Sequence, residues 1–257
     1  MTTTIFAFCG KGGVGKTSLS AAFIRLLKEQ YPQKRILAVD ADPAVGLSTA
    51  LGIEPPMTLD DIRLRIAQSI DKGETADAVA LLSEAKFHLL DCITERGNLS
   101  FLAIGRPEAA GCYCKVNAYL KQVLEMISGN YDFVVIDVEA GIEQINRRVM
   151  EAVDCLVLVS DPSRKGIRVI ATIQDVASRL SAYKRSGVIF NRARPGFDPT
   201  AIEDLPPVLA VIGDDPEQAE RDMQGESVFS LSASSALYRG AAQALAALLK
   251  ETDHGTV

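Results

Sequence analysis

The stretch Gly10–Ser18 constrains this chain more than any other, because its sequence, Gly-Lys-Gly-Gly-Val-Gly-Lys-Thr-Ser, lies between an apolar run and a helical pattern. The apolar run Ile5–Cys9 predicts a buried strand, and apolar residues from Leu19 to Leu27 recur at helical spacing. Strand, glycine loop and helix together match the pattern G-x-x-x-x-G-K-S/T of phosphate-binding loops. The glycines leave backbone N–H groups free to point at phosphate oxygens, and the helix N-terminus attracts the same anion.

The side chains of this loop have separate predicted tasks. Lys16 is expected to reach the β- and γ-phosphates, and the Thr17 hydroxyl is expected to ligate Mg²⁺. The other predicted nucleotide-binding positions of the loop are Gly10, Gly12, Gly13, Val14, Gly15 and Ser18. The sequence therefore predicts a site for ATP or ADP with Mg²⁺.

Composition predicts one α/β domain over residues 1–257. A chain of 257 residues with 47% apolar residues and no Trp can bury one large core rich in Ala, Leu, Val and Ile. The run Arg35–Asp40 predicts a second strand buried on both faces, as in parallel sheets. We therefore expect a mostly parallel, doubly wound sheet flanked by helices.

Charge and hydropathy argue against two classes of partner. The net charge of −6 and the pI near 5.1 disfavour nucleic acid. No apolar run approaches the ~20 residues that span a bilayer, and the first strand follows the N-terminus without a signal-type segment. We expect a cytoplasmic protein that binds neither nucleic acid nor membrane. The local basic residues are expected to be solvated: Arg164, Lys165, Arg168, Arg192 and Arg194.

Apolar patterns predict the further elements along the chain. The predicted strands are Phe87–Cys92 and Leu99–Ile104 around a turn at Arg96–Asn98, then Phe133–Asp137, Cys155–Pro162 with its exit turn, Gly187–Asn191 and Val208–Ile212. Predicted helices run over about 165–182 and along the apolar stripe Leu237–Leu249. Cys9 and Cys155 lie in strand-like runs and are expected to be small core residues.

Lys11 is a second lysine inside the glycine loop, and the basic pattern does not require it. The run Lys11–Thr17 resembles the deviant Walker A box of the MinD/ParA and nitrogenase iron protein superfamily. In that superfamily the equivalent lysine crosses a dimer interface to the nucleotide of the partner. The resemblance therefore implies a P-loop NTPase that closes into a homodimer around nucleotide, with Lys11 and Lys16 as catalytic residues. The alternative for Lys11 is a solvated loop lysine.

The same resemblance assigns roles at two strand ends. Asp40-Ala41-Asp42-Pro43 is similar to the switch I segment of the superfamily, which implies that Asp42 orients or activates the attacking water. It also implies that Asp40 holds Mg²⁺ through its water shell. Asn191 matches the adenine-reading position, where an amide can both donate and accept. The alternative for Asp40–Pro43 is an ordinary strand-ending turn, which would be favoured without the glycine loop, and the alternative for Asn191 is a turn-forming asparagine.

Cys112 and Cys114 form a C-x-C pair in a stretch with other distinctive residues. Two thiols at this spacing can ligate one soft metal but leave the site incomplete. A second copy on a two-fold axis would supply the missing pair. Four thiolates suit zinc and could also accept nickel or an iron–sulfur cluster.

Two segments around these cysteines resemble the CooC-type ATPases, which are nickel-insertion maturation factors for carbon monoxide dehydrogenase. These segments are Gly105–Glu108 (Gly-Arg-Pro-Glu) and Gly111–Cys114 (Gly-Cys-Tyr-Cys). The resemblance implies an ATP-dependent metallochaperone that binds nickel, with zinc as a surrogate, and serves carbon monoxide dehydrogenase or a related client. It further implies that Asp137 holds Mg²⁺ through water and that the Gly141 N–H senses the γ-phosphate.

Departures from the CooC pattern leave the client open. Val138 stands where CooC proteins commonly carry Asn, Gln144–Asn146 replaces the usual His-Leu-Ser, and residues 51–100 follow no recognised pattern. One alternative function is an iron–sulfur reductase like the nitrogenase iron protein, although the run Asp137–Gly141 has no cysteine. Another is a ParA/MinD-type positioning ATPase, although the short acidic tail Glu251–Val257 is unlike a basic membrane helix.

Overall fold

The computed structural model describes residues 3–42, 44–61, 90–105, 127, 129–138, 153–179 and 183–250. Within these ranges the strands are β1 (Thr4–Gly10), β2 (Ile36–Ala41), β3 (Thr94–Arg96), β4 (Leu99–Ala103), β5 (Phe133–Val138), β6 (Val153–Ser160), β7 (Tyr183–Phe190) and β8 (Val208–Val211). The α-helices are α1 (Lys16–Gln30), α2 (Gly46–Leu51), α3 (Arg164–Arg179), α4 (Pro216–Gln224) and α5 (Ala236–Lys250). Short 3₁₀ turns occupy Pro199–Ala201 and Val228–Ser230.

The strands form one sheet in the order β3-β4-β2-β5-β1-β6-β7-β8. All described pairs are parallel except β3 with β4. Strand β1 lies between β5 and β6, so the glycine loop leaves the sheet near its centre. The predicted mostly parallel, doubly wound α/β sheet is thus confirmed, and the carboxyl ends of β1, β2, β5, β6 and β7 meet at one edge, where such folds bind ligands.

Side chains of β1 alternate between two apolar layers, because successive residues of a strand point to opposite faces. Phe6 and Phe8 face α1 and α5, and the ring of Phe8 meets Phe23 of α1 edge-on at a centroid distance of 4.9 Å. Cys9 faces the layer that contains α3. Burial raises the pKa of the Cys9 thiol to about 12, so it remains a neutral core side chain. Cys155 is also buried, as the sequence predicts.

One predicted strand is wrong where the structure describes it. Residues 90 and 91, in the predicted strand Phe87–Cys92, are helical, and Leu90 is 64% exposed. The strand that precedes the turn at Gly97 is Thr94–Arg96 instead. A short apolar run does not distinguish strand from helix, and tertiary contacts decided this one. No helix among the described residues is both long and apolar enough to cross a membrane.

Arg25 connects the helix that follows the glycine loop to the C-terminal part of the chain. Its Nη1 donates to the carbonyl oxygens of Val228 at 2.9 Å and Leu231 at 2.7 Å. Its guanidinium carbon lies 4.6 Å from the ring centroid of Tyr238 on α5, and the side chain is only 11% exposed. One largely buried arginine thus donates to two carbonyl oxygens and packs α1 against α5.

Replacing this arginine tests how much of the stability that contact carries. We expect Arg25→Ala to lower the free energy of unfolding by about 1–3 kcal/mol, because it removes the arginine donor from the Leu231 carbonyl oxygen and removes a packed stem. Urea denaturation measures the loss. Arg179→Ala is the matched control, since its ion pair with Asp175 is exposed and is expected to contribute under about 0.5 kcal/mol. Equal losses in the two variants would contradict the assignment.

Candidate functional site: a phosphate-binding loop and its carboxylate pair

The glycine loop has the backbone that its sequence predicts. Gly13 and Gly15 have φ angles of 77° and 92°, in the left-handed region that favours glycine. A Cβ on Gly15 would stand 2.5 Å from Nδ2 of Asn191, so a larger residue is also sterically excluded there. The loop forms one wall of a cavity of about 570 Å³. The cavity is lined by Gly12, Gly13, Gly15, Lys16, Thr17, Ser18, Asp42, Gly46, Thr49, Ala50, Arg192, Asp222, Gly225 and Glu226.

The first turn of α1 is prepared for an anion. It contains no acidic residue and no side chain caps it, so N–H groups at this terminus remain available. Lys16 is 7% exposed, and its Nζ donates to the carbonyl oxygen of Lys11 at 3.3 Å. A buried ammonium beside an uncapped helix terminus fits a polyphosphate.

Asp40 and Asp137 form a buried carboxylate pair at the ends of two adjacent strands. They are register partners on β2 and β5, and their exposed fractions are 0% and 1%. Ser20 donates to Oδ1 of Asp137 at 3.3 Å, whereas Oδ2 has no hydrogen-bond partner among the described residues. Burial and the neighbouring Asp137 charge raise the pKa of Asp40 to about 7, and burial raises the pKa of Asp137 to about 6. An unpartnered carboxylate oxygen beside the loop that carries Thr17 fits Mg²⁺, a cation that prefers oxygen ligands.

Asp40 also organises the segment that carries Asp42. Its carboxylate accepts the backbone N–H groups of Asp42 at 3.1 Å and Leu47 at 2.8 Å. Asp42 accepts the N–H of Ala44 at 2.9 Å and lines the cavity. Val45, which lies between Asp42 and Leu47 in the chain, has a φ of 52°, which is strained for a β-branched residue. The predicted water-orienting carboxylate therefore lies at the cavity, on a turn wound around Asp40.

Lys11 contacts its own chain. Its Nζ lies 3.2 Å from Oδ2 of Asp161, which follows β6, and each side chain is about one-third exposed. The Ser163 hydroxyl and the Lys11 ammonium hold the pKa of Asp161 below its usual value. The sequence contains no signal for this pairing, since the two residues are 150 positions apart.

Asn191 lies directly after β7 and is 7% exposed. Its Nδ2 donates to the carbonyl oxygen of Val14 at 2.9 Å, and its Oδ1 accepts the N–H of Arg192 at 3.0 Å. The amide thus anchors the glycine loop, and reading of adenine by Asn191 stays a prediction. Arg192 itself, which the sequence suggested is solvated, lines the cavity and donates from Nη1 to the carbonyl oxygen of Gly13 at 3.2 Å.

Three predicted site residues, Cys112, Cys114 and Gly141, lie outside the described residues. In the part of the chain that the structure describes, no group of three or more His, Cys, Asp or Glu side chains could hold a metal ion. The soft-metal site therefore stays a prediction from the sequence, whereas the residues predicted for nucleotide on β1, α1, β2, β5 and the end of β7 all meet at one edge.

A mostly parallel sheet with this loop and carboxylate pair defines a P-loop nucleotide-binding protein. The family described as "AAA domain" matches residues 2–185, and the chain belongs to that family. An uncharacterized ATP-binding protein of Methanocaldococcus jannaschii is 33% identical over 241 residues, which cover 91% of this chain and 94% of the relative.

Two further similarities are consistent with this family. The carbon monoxide dehydrogenase accessory protein CooC of Rhodospirillum rubrum is 29% identical over 184 residues, which cover 68% of this chain and 69% of that protein. A crystal structure of a ParA family ATPase from Chlorobium tepidum TLS matches with a TM-score of 0.70 at 22% identity, covering 95% of this chain and 98% of the other. The predicted fold of the MinD/ParA P-loop proteins is therefore confirmed.

The raised pKa values of the carboxylate pair predict a pH dependence of stability. A folded-state pKa above the unfolded value of 3.8 stabilises the folded protein at low pH, and this contribution disappears as the pH rises towards 7. We therefore expect Asp137→Asn to reduce the loss of unfolding free energy between pH 4.5 and pH 7.5 in nucleotide-free protein, as measured by urea denaturation at each pH.

Because the other titrating groups are the same in both proteins, their contributions to the pH dependence cancel when Asp137→Asn is compared with the unaltered protein. Asp175→Asn, on the exposed face of α3, is the matched control and should keep the dependence of the unaltered protein. Identical pH dependence in Asp137→Asn and the unaltered protein would show that Asp137 is ionised throughout this range.

Proposed function

We propose that the chain is an ATP-dependent metallochaperone ATPase of the CooC kind, built as a single P-loop domain over residues 1–257 and acting in the cytoplasm. It binds ATP with Mg²⁺, hydrolyses it slowly to ADP and phosphate, and assists metal insertion into carbon monoxide dehydrogenase or a related metalloenzyme. The observation that carries the nucleotide part is the buried Asp40–Asp137 pair beside an uncapped helix N-terminus and a buried lysine. The likeness to CooC, over 68% of the chain, supports the maturation role.

In the hydrolysis of ATP, residues that line or border the cavity would have separate roles. The bound Mg²⁺ supplies positive charge to the phosphates. Thr17, Asp40 and Asp137 would hold this ion, directly or through water. Lys16 would move from the Lys11 carbonyl to the phosphates, because a phosphate is a stronger acceptor than a neutral carbonyl. Asp42 would orient the attacking water from its turn at the cavity wall.

Metal handling would depend on a second copy of the chain. Closure of two copies over ATP would bring Cys112 and Cys114 of each into one four-thiolate shell. That shell suits zinc and accepts nickel, the metal that we propose as cargo. Nucleotide state would thereby determine whether the cargo is held or released, with Gly141 as the contact that senses the γ-phosphate.

Two other functions remain candidates. The fold shared with a ParA family ATPase favours a positioning ATPase as the second choice, and stimulation of hydrolysis by DNA or liposomes would support it. An iron–sulfur reductase is the third choice. An anaerobic preparation that contains stoichiometric iron and absorbs visible light would support that function instead.

Metal titration tests the role of the cysteine pair. We expect the unaltered protein to bind one nickel or zinc ion per two chains, and the double variant Cys112→Ser/Cys114→Ser to lose this binding, because a serine hydroxyl is a poor ligand for a soft metal. Cys155→Ala, which removes a buried thiol on β6, is the control and should retain the ion. Unchanged stoichiometry and affinity in the double variant would refute the metallochaperone proposal.

Light scattering tests the role of Lys11. This lysine does not line the cavity of its own chain and is paired with Asp161. We therefore expect Lys11→Ala to bind ATP but to stay monomeric with ATP and metal, whereas the unaltered protein dimerises. Lys165→Ala, at an exposed position of α3, should behave as the unaltered protein does. Dimerisation of Lys11→Ala would show that this lysine does not bridge two copies.

A further inference from the structure

Arg192 has a backbone conformation that few arginines adopt. Its φ of 56° lies in the left-handed region, and the N–H of Arg192 is held by Oδ1 of Asn191 at 3.0 Å. Strained non-glycine residues concentrate at ligand sites, where the surrounding structure maintains them. Here the turn directs the arginine side chain over the glycine loop, where Nη1 reaches the Gly13 carbonyl at 3.2 Å.

The position of Arg192 in the sheet identifies the part of a nucleotide that it can meet. The carboxylates Asp40 and Asp137 lie on β2 and β5, to one side of β1, whereas Arg192 follows β7 on the other side. A triphosphate on the loop, with its metal beside the carboxylates, leaves the base to extend towards β7. Asp42 and Arg192 both line the cavity, so it spans the distance from one side to the other.

The side chains of the cavity wall also indicate that Arg192 would contact the base of a nucleotide. None of the described residues that line the cavity is aromatic, so no aromatic side chain there can stack on a base. The planar guanidinium of Arg192 is the lining group that offers a flat surface for a heterocycle. A guanidinium stacks on aromatic rings, and it retains four N–H donors after one is used on Gly13. Within the described residues, Arg192 forms no ion pair that would compete for it.

We propose that Arg192 is a nucleotide-positioning residue that packs its guanidinium plane against the purine base while it holds the Gly13 carbonyl. This inference rests on the proposed binding of ATP. A side chain that contacts both the base and the loop makes a nucleoside triphosphate a better ligand than its triphosphate alone. It also links occupancy of the base site to the conformation of the loop.

Calorimetric titration with two ligands tests this role. The ligands are Mg²⁺-ATP and Mg²⁺-tripolyphosphate, which has the phosphates but no base. We expect Arg192→Ala to weaken ATP binding by about five- to tenfold, in line with the loss of one cation–π contact to the base. Binding of tripolyphosphate should not change. Arg192→Lys, which keeps the charge but not the plane, should lose most of the same ATP affinity.

Arg194→Ala is the matched control, because Arg194 is exposed on the same loop and does not line the cavity. It should bind both ligands as the unaltered protein does. Equal weakening of both ligands in Arg192→Ala would assign the residue to the phosphates and overturn the inference, as would unchanged ATP binding or full rescue by lysine. Failure of the unaltered protein to bind ATP would instead refute the proposed function.

Discussion

The interaction on which the site depends is the unfavourable burial of two carboxylates side by side. Asp40 and Asp137 are register partners with almost no exposure, and each has a raised pKa because burial disfavours its charge. Without an added cation this arrangement costs free energy, and the oxygen of Asp137 that has no hydrogen-bond partner among the described residues adds to that cost. A bound Mg²⁺ would offset that cost, so metal and nucleotide complete a site that the chain alone leaves unbalanced.

The same pair connects the site to the segment beside it. Asp40 accepts N–H groups from Asp42 and Leu47, so any change in its charge or contacts acts on the turn that contains the strained Val45. On the other side of β1, Asn191 anchors the loop. Asn191 and Arg192 thus hold the glycine loop on the β7 side, and the carboxylate pair lies on its other side, where the metal would bind.

Residues near each other in sequence were the easiest to predict. The glycine loop, the strand before it and the helix after it follow from local conformational preferences, and the predicted loop contains Gly13 and Gly15, whose φ angles are left-handed. Strand ends were also predictable, because apolar runs that end in Asp or Asn are distinctive. The run Phe87–Cys92 failed, because apolar composition alone gives no helix or strand preference over so few residues. Arg192 was missed because its contact with Gly13 joins residues 179 positions apart.

The sequence by itself indicated a site for a nucleotide phosphate, since Gly13 and Gly15 suit the left-handed backbone of the loop and the N-terminus of α1 follows the loop directly. It also determined the parallel sheet, through runs that are apolar on both faces. Only the tertiary structure decided which polar groups face one another. It paired Asp40 with Asp137, Lys11 with Asp161 and Arg192 with Gly13. Strand order and crossover connections set these distances, and no local pattern encodes them.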